Sequence, residues 1–123
     1  MSLLHFRNQL KLYHWQTAGY GAHKALDDAV TTLDGHTDKL LETGFPLDKA
    51  GVKAMASAGP SKGYVNWTSR RATMAAVNAQ IAALKSAKGS YEGTPLEPLV
   101  YILDEIIGDL LQLAYLLKFN GKK

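Results

Sequence analysis

The stretch LKLYHWQTAGYGAHKALDDAVTTLDGHTDKLLE, Leu10 to Glu42, closes one helical pattern and opens another. Leu3, Phe6, Leu10, Tyr13 and Thr17 recur at the three-to-four spacing of a buried helical face, and Gly19 with Gly21 ends that pattern. After this short break Leu26, Val30, Leu33, Thr37 and Leu40 resume it, as a seam for an antiparallel neighbour. A connection this short predicts a helical hairpin, with His14 and His23 at its same end. Asp38 and Glu42 stand one helical turn apart and share a face. At about 1.5 Å of rise per residue, roughly 22 Å separates His23 from Asp38, too far for one ion to bridge within one chain. Two copies packed antiparallel about a two-fold axis would set the histidine end of one against the carboxylate end of the other, making two identical intersubunit sites. The spacing thus predicts a dimer.

Outward from this hairpin, four helices are expected over about residues 2–17, 23–43, 68–87 and 95–119 of a single domain, 1–123. Gly44 and Pro46 read as the stop of the second. Between Phe45 and Trp67, Pro46, Gly51, Gly59, Pro60 and Gly63 punctuate the chain, leaving room for a short helix around Asp48 to Ala58. An up-and-down bundle needs only a few residues there, whereas a connection that crosses a bundle spans roughly 30 Å. The third helix starts near Thr68 and buries Met74, Val77, Ile81 and Leu84, with Lys88 and Gly89 closing it. The fourth opens at TPLEP, either on the capping-box pair Thr94 and Glu97 or one turn later at Pro98. Leu99, Leu103, Ile106, Leu110, Leu113 and Leu117 follow at strict four-three intervals. The expected fold class is all-α, a four-helix bundle with a long crossover between the second and third helices.

The chain has no cysteine, so disulfides and thiolate metal sites are excluded and any metal must be held by histidine and carboxylate. No apolar run approaches the ~20 residues of a membrane span. We expect no membrane partner and a cytoplasmic location. The formal charge of +3 permits weak attraction to nucleic acid. Its basic groups, Arg70 with Arg71 and the tail Lys118, Lys122 and Lys123, lack the interleaved aromatics of a single-strand binder.

The same residues carry a resemblance. A Tyr-His-Trp segment ending the first helix (Tyr13, His14, Trp15), a second histidine opening the next (His23), and an aspartate and glutamate one turn apart (Asp38, Glu42) resemble the ferroxidase segment of Dps proteins, the mini-ferritins. HFRNQLKLYHWQT and LDEIIGD also resemble ferritin-like proteins of viral and metagenomic sequences, from which a fold follows but no activity. The resemblance covers the first third of the chain; beyond it only helical pattern and length agree. It implies a ferritin-like bundle, a homo-oligomer that is at least a two-fold dimer and in the family a dodecameric cage, and a location in host cytoplasm or a virion if the source is viral. It further implies His14 and His23 holding Fe(II) from one chain, with Asp38 and Glu42 from the other, peroxide as oxidant and protection against oxidative damage. The interval between His14 and His23 is shorter than in Dps.

Other carboxylates belong to the candidate set. Asp34 shares the Asp38 face as an outer ligand or mineral nucleation position, and Asp27 lies one turn after His23, with which it makes an ordinary surface pair on the plain reading. Glu105 and Asp109, one turn apart beside the stripe of the fourth helix, read either as metal ligands or as partners of Arg7, Lys11 or a tyrosine hydroxyl. His5 and His36 read as surface or packing residues. His14 has the plain reading of a core-edge histidine bonded to a backbone carbonyl, and Tyr13 and Trp15 read as core packing or as scavengers of oxidising equivalents. Mn or Zn would suit the same donors. Two further functions stay open: a non-enzymatic ferritin-like scaffold, with or without a structural metal, and a nucleoid-type DNA-binding protein.

Overall fold

The computed structural model of the chain describes residues 2–57 and 63–119. Among these the fold is all-α, with α1 (Leu3–Gln16), α2 (Tyr20–Ser57), α3 (Arg70–Tyr91) and α4 (Pro98–Phe119). α1 packs on α2, α2 on α4 and α4 on α3, forming a four-helix bundle. The stripe on α4 is its centre: Leu99, Leu103, Ile106, Leu110, Leu113 and Leu117 are at most 1% exposed. Phe6, Leu10, Leu26, Leu33, Val77 and Leu84 complete the same core. No helix among the described residues is long and apolar enough to cross a membrane.

Local chemistry fixes the helix ends. Ser2 caps α1, its Oγ accepting from the His5 amide at 3.2 Å. Ser69, rather than Thr68, caps α3 through the Ala72 amide at 3.0 Å, and α3 continues past Lys88 and Gly89 to Tyr91. α4 begins at Pro98, a residue pre-set for a first helical position. Thr94 and Glu97 build the turn before it instead: the Glu97 carboxylate accepts from the Gly93 amide at 2.6 Å, and Gly93 has the left-handed φ of 73° that favours glycine.

The expected stop of the second helix at Gly44 and Pro46 is corrected. α2 runs through both and breaks at Asp48, whose φ of −154° and ψ of 71° are not helical. Proline removes one hydrogen bond from the turn before it, and the helical conformation is lost two residues later. Asp48 then restarts the helix, its Oδ1 accepting from the Gly51 amide at 3.1 Å, so the second piece is the short helix expected there. Its expected last residue, Ala58, lies outside the described residues, as do Gly59 and Pro60. This second piece folds back on the first, because Gly44 is buried and a Cβ there would stand 2.5 Å from Val52 Cγ2. Tyr91 closes the corner from α3, its hydroxyl donating to Asp48 Oδ2 at 3.4 Å.

The residues before α3 lie as an irregular strap along α1. Gln9 takes both backbone groups of Val65, donating to its carbonyl at 2.8 Å and accepting from its amide at 2.9 Å. Gln16 accepts from the Trp67 amide at 2.7 Å, Asn8 donates to the Tyr64 hydroxyl at 3.1 Å, and His5 stacks on the Tyr64 ring at 4.4 Å. Tyr13 meets Trp67 edge-on at 6.0 Å.

Gly44→Ala should raise helix propensity yet lower stability by about 1–3 kcal/mol, because the new methyl overpacks Val52; urea unfolding measures the difference. Burial, reinforced by the Asp48 carboxylate and the bond to it, raises the Tyr91 pKa above its ordinary 10.0. The unfolded chain therefore loses that proton first, so this contribution is intact below about pH 10 and declines as pH rises further. Tyr91→Phe should flatten that alkaline decline, with the remaining slope shared by Tyr13, whose pKa burial also raises, and by Lys88 and Lys24, whose bonds to Asp104 and Asp28 raise theirs.

Candidate metal centre

The α1–α2 corner brings His14 and His23 together, as the short connection predicts. Their rings stack with centroids 3.9 Å apart and planes 27° from parallel. Each ring bonds the other residue's backbone: His14 Nδ1 to the His23 carbonyl and His23 Nδ1 to the His14 carbonyl, both at 2.8 Å. A carbonyl only accepts, so both Nδ1 atoms carry hydrogen, and each ring, when neutral, keeps its lone pair on Nε2. The plain reading of His14, a bond to a backbone carbonyl, is thus realised, and it leaves free the nitrogen a metal would need. His14 is buried and His23 exposed, so the pair opens to the surface through His23.

Asp27 lies beside this pair, its Oδ1 3.8 Å from His14 Nε2 and 3.6 Å from Lys11 Nζ. It thus pairs with Lys11 and stands beside the His14 ring without bonding it, while the one-turn ion pair at this end of α2 is Lys24 with Asp28, at 3.1 Å. Asp34 pairs with Arg7 at 3.1 Å. Asp38 and Glu42 are exposed on the unbroken first piece of α2, about 22 Å and about 28 Å from His23 on its helical rise. Asp38 also lines a groove of about 350 Å³ with Leu4, Arg7, Asp34 and Leu41. Among the described residues, no three histidine or acidic side chains gather into a metal-binding group. Tyr13 is buried in the core, whereas Trp15 is exposed, with Lys11 Nζ 5.9 Å from its ring centre.

Glu105 and Asp109 find a partner that sequence reasoning assigned elsewhere. His36 of α2 reaches them from the neighbouring helix, its Nδ1 2.5 Å from Asp109 Oδ2 and its Nε2 3.6 Å from Glu105 Oε2. Lys39 adds a contact to Glu105 at 3.3 Å. The expected partners Arg7 and Lys11 are held instead by Asp34 and Asp27. The signal for His36 was the half-buried carboxylate itself, which needs a donor from the facing helix.

Comparison with family models, curated proteins and solved structures found no match. The site therefore stands on its own residues. Long-range proton–nitrogen correlation spectra at mildly alkaline pH should show both His14 and His23 protonated at Nδ1. His23→Ala should remove the bond to the His14 carbonyl and destabilise the corner by about 1 kcal/mol, read as a fall in thermal midpoint.

Proposed function

We propose that this chain is a Dps-like iron-binding protein of the ferritin-like class, in which two copies share sites that oxidise Fe(II). The observation that carries the reading is the reciprocal His14–His23 bond, which holds two imidazoles side by side with both Nε2 lone pairs free. Asp38 and Glu42, exposed one turn apart, would meet such a pair from a second copy. The proposed assembly is at least a two-fold dimer, and a dodecameric cage if it follows the Dps pattern throughout.

The ferritin-like topology, with a long crossover between α2 and α3, belongs to the same reading. It is supported by the strap, which follows α1 from Asn8 toward Gln16 and delivers Arg70 beside Gly19, at the end where α2 also starts. Helices that start at one end run parallel, and a connection between them must return the length of the bundle.

In the proposed reaction, His14 and His23 bind Fe(II) through neutral nitrogen, and Asp38 and Glu42 of the second copy supply oxygen donors that favour the ferric product. Two Fe(II) ions each give up one electron; hydrogen peroxide takes both with two protons, its O–O bond breaks, and two waters form. Asp27 stands nearest to the histidines as a further oxygen donor. Glu105, Asp109 and His36 satisfy one another and take no part. The same donors would hold Mn or Zn in a structural role. A cytoplasmic setting, of a host or carried in a virion, suits a peroxide-consuming role.

Anaerobic loading with Fe(II) followed by peroxide should give a fast ferric absorbance rise in the natural chain and a buffer-like rise in Asp38→Ala. Buffer-like rates in both would overturn the oxidase reading. A mixture of the inactive double variants His14→Ala/His23→Ala and Asp38→Ala/Glu42→Ala should regain activity, because a mixed dimer carries one intact site. Continued inactivity of that mixture would overturn the intersubunit arrangement.

A further inference from the structure

A pocket of about 300 Å³ lies where the α1–α2 turn meets the start of α3, with Thr17, Gly19, Trp67, Thr68, Ser69 and Arg70 in its wall. None of the four proposed iron ligands lines it. Arg70 is its anomaly. The Nη1 of this guanidinium is closed to solvent and has no hydrogen-bond partner, a costly state for a charged group. Gly19 makes room for it, since a Cβ there would stand 3.0 Å from Arg70 Nη2.

The surroundings of Arg70 deepen the anomaly. A helix start is electropositive and favours acidic side chains, yet the first turn of α3 carries Arg70 and Arg71 and no acid. α2 begins at Tyr20, one residue beyond the Gly19 that lines the pocket, also without an acid in its first turn, and Gly19 has no side chain with which to cap. The Ser69 hydroxyl accepts from the Ala72 amide. The start of α3, the turn that leads into α2 and an arginine Nη1 without a partner therefore meet at one pocket, with Thr17 and Thr68 in its wall.

We propose that this pocket binds a phosphate-class oxyanion, with Arg70 as its counter-ion. A guanidinium fork and free backbone amides suit a tetrahedral dianion, which accepts several hydrogen bonds at once. The anion supplies the charge that the first turn of α3 lacks. It also ties the strap to the α1–α2 turn, because Trp67 and Thr68 come from one and Thr17 and Gly19 from the other.

The test uses Trp67 as reporter in the full chain carrying Trp15→Phe, which removes the other, exposed tryptophan. Sodium phosphate is titrated against chloride at constant ionic strength, and Trp67 fluorescence should change saturably. Adding Arg70→Gln should weaken binding at least ~10-fold, the scale of a lost charge-assisted bond. Arg71→Gln, which removes the same charge from an exposed neighbour, should change it less than about threefold. If Arg70→Gln loses its helical circular dichroism, Gly19→Ala replaces it: weakened binding supports the proposal, and binding equal to the natural chain overturns it. A response that never saturates, equal losses in the two arginine variants, or equally tight binding of acetate would each overturn it. Ribose 5-phosphate in place of inorganic phosphate distinguishes the source: tighter binding of the ester assigns an organic phosphate, and equal binding assigns the free ion.

Discussion

The exchange of ring-to-carbonyl bonds between His14 and His23 holds the corner on which much else in the molecule depends. A helix ending at Gln16 leaves its last carbonyls without partners, and that of His14 is one of them. His23 supplies the missing donor from the first turn of the next helix, and His14 returns the bond to His23. Neither Gly19 nor Gly21 can contribute a capping side chain to a turn this tight. The stacked rings therefore set how α1 lies on α2, and with it the wall that Thr17 and Gly19 give to the pocket beside Arg70. One pair of side chains closes the turn, fixes its own tautomers and leaves two nitrogen lone pairs together.

Around that corner the charges sort themselves unevenly. Arg7 with Asp34, Lys11 with Asp27, Lys39 with Glu105 and Lys88 with Asp104 lie within 4 Å of one another, and the bond to Asp104 keeps the Lys88 ammonium protonated to higher pH. Such partly exposed pairs contribute little each to stability. Their consequence is one of selection. Once the nearby cations on α1 and α2 are occupied, Asp38 and Glu42 remain on the surface of α2 as a pair one turn apart. Arg70 remains at the opposite extreme, its Nη1 enclosed and without a partner. Among the described residues these are two places left electrostatically incomplete, and they differ in sign and location.

The bundle was legible wherever burial follows local periodicity. Every one of the six apolar positions counted on α4 is buried, as are Leu26, Val30, Leu33 and Leu40 on α2. The meeting of His14 and His23 was legible for a similar reason, since a short turn leaves their ends little choice. Contacts across the bundle were not. Gly44 and Pro46 look like terminators when read locally, and only the approach of Val52 shows why the chain keeps its helix there and turns at Asp48. His36 and Asp109 lie 73 residues apart, so the need of a half-buried carboxylate for a donor does not say which residue supplies it. Arg70 was read as half of a basic pair, whereas the fold tucks it under Gly19 and leaves Arg71 exposed.

On the proposed reading, the placement of Asp38 links metal binding to association. Its carboxylate opens onto the groove walled by Leu3, Leu4 and Leu41, and Leu4 is half exposed. An apolar rim of this kind gains by being covered. Covering it with a second chain also removes water from Asp38, and a desolvated carboxylate without a counter-charge opposes that contact. Arg7 offers no relief, because Asp34 already holds it. A cation carried in on the neutral Nε2 atoms of His14 and His23 would supply the missing charge where the apolar contact forms. On the proposed reading, the groove favours the dimer, the bare carboxylate resists it, and the metal decides between them.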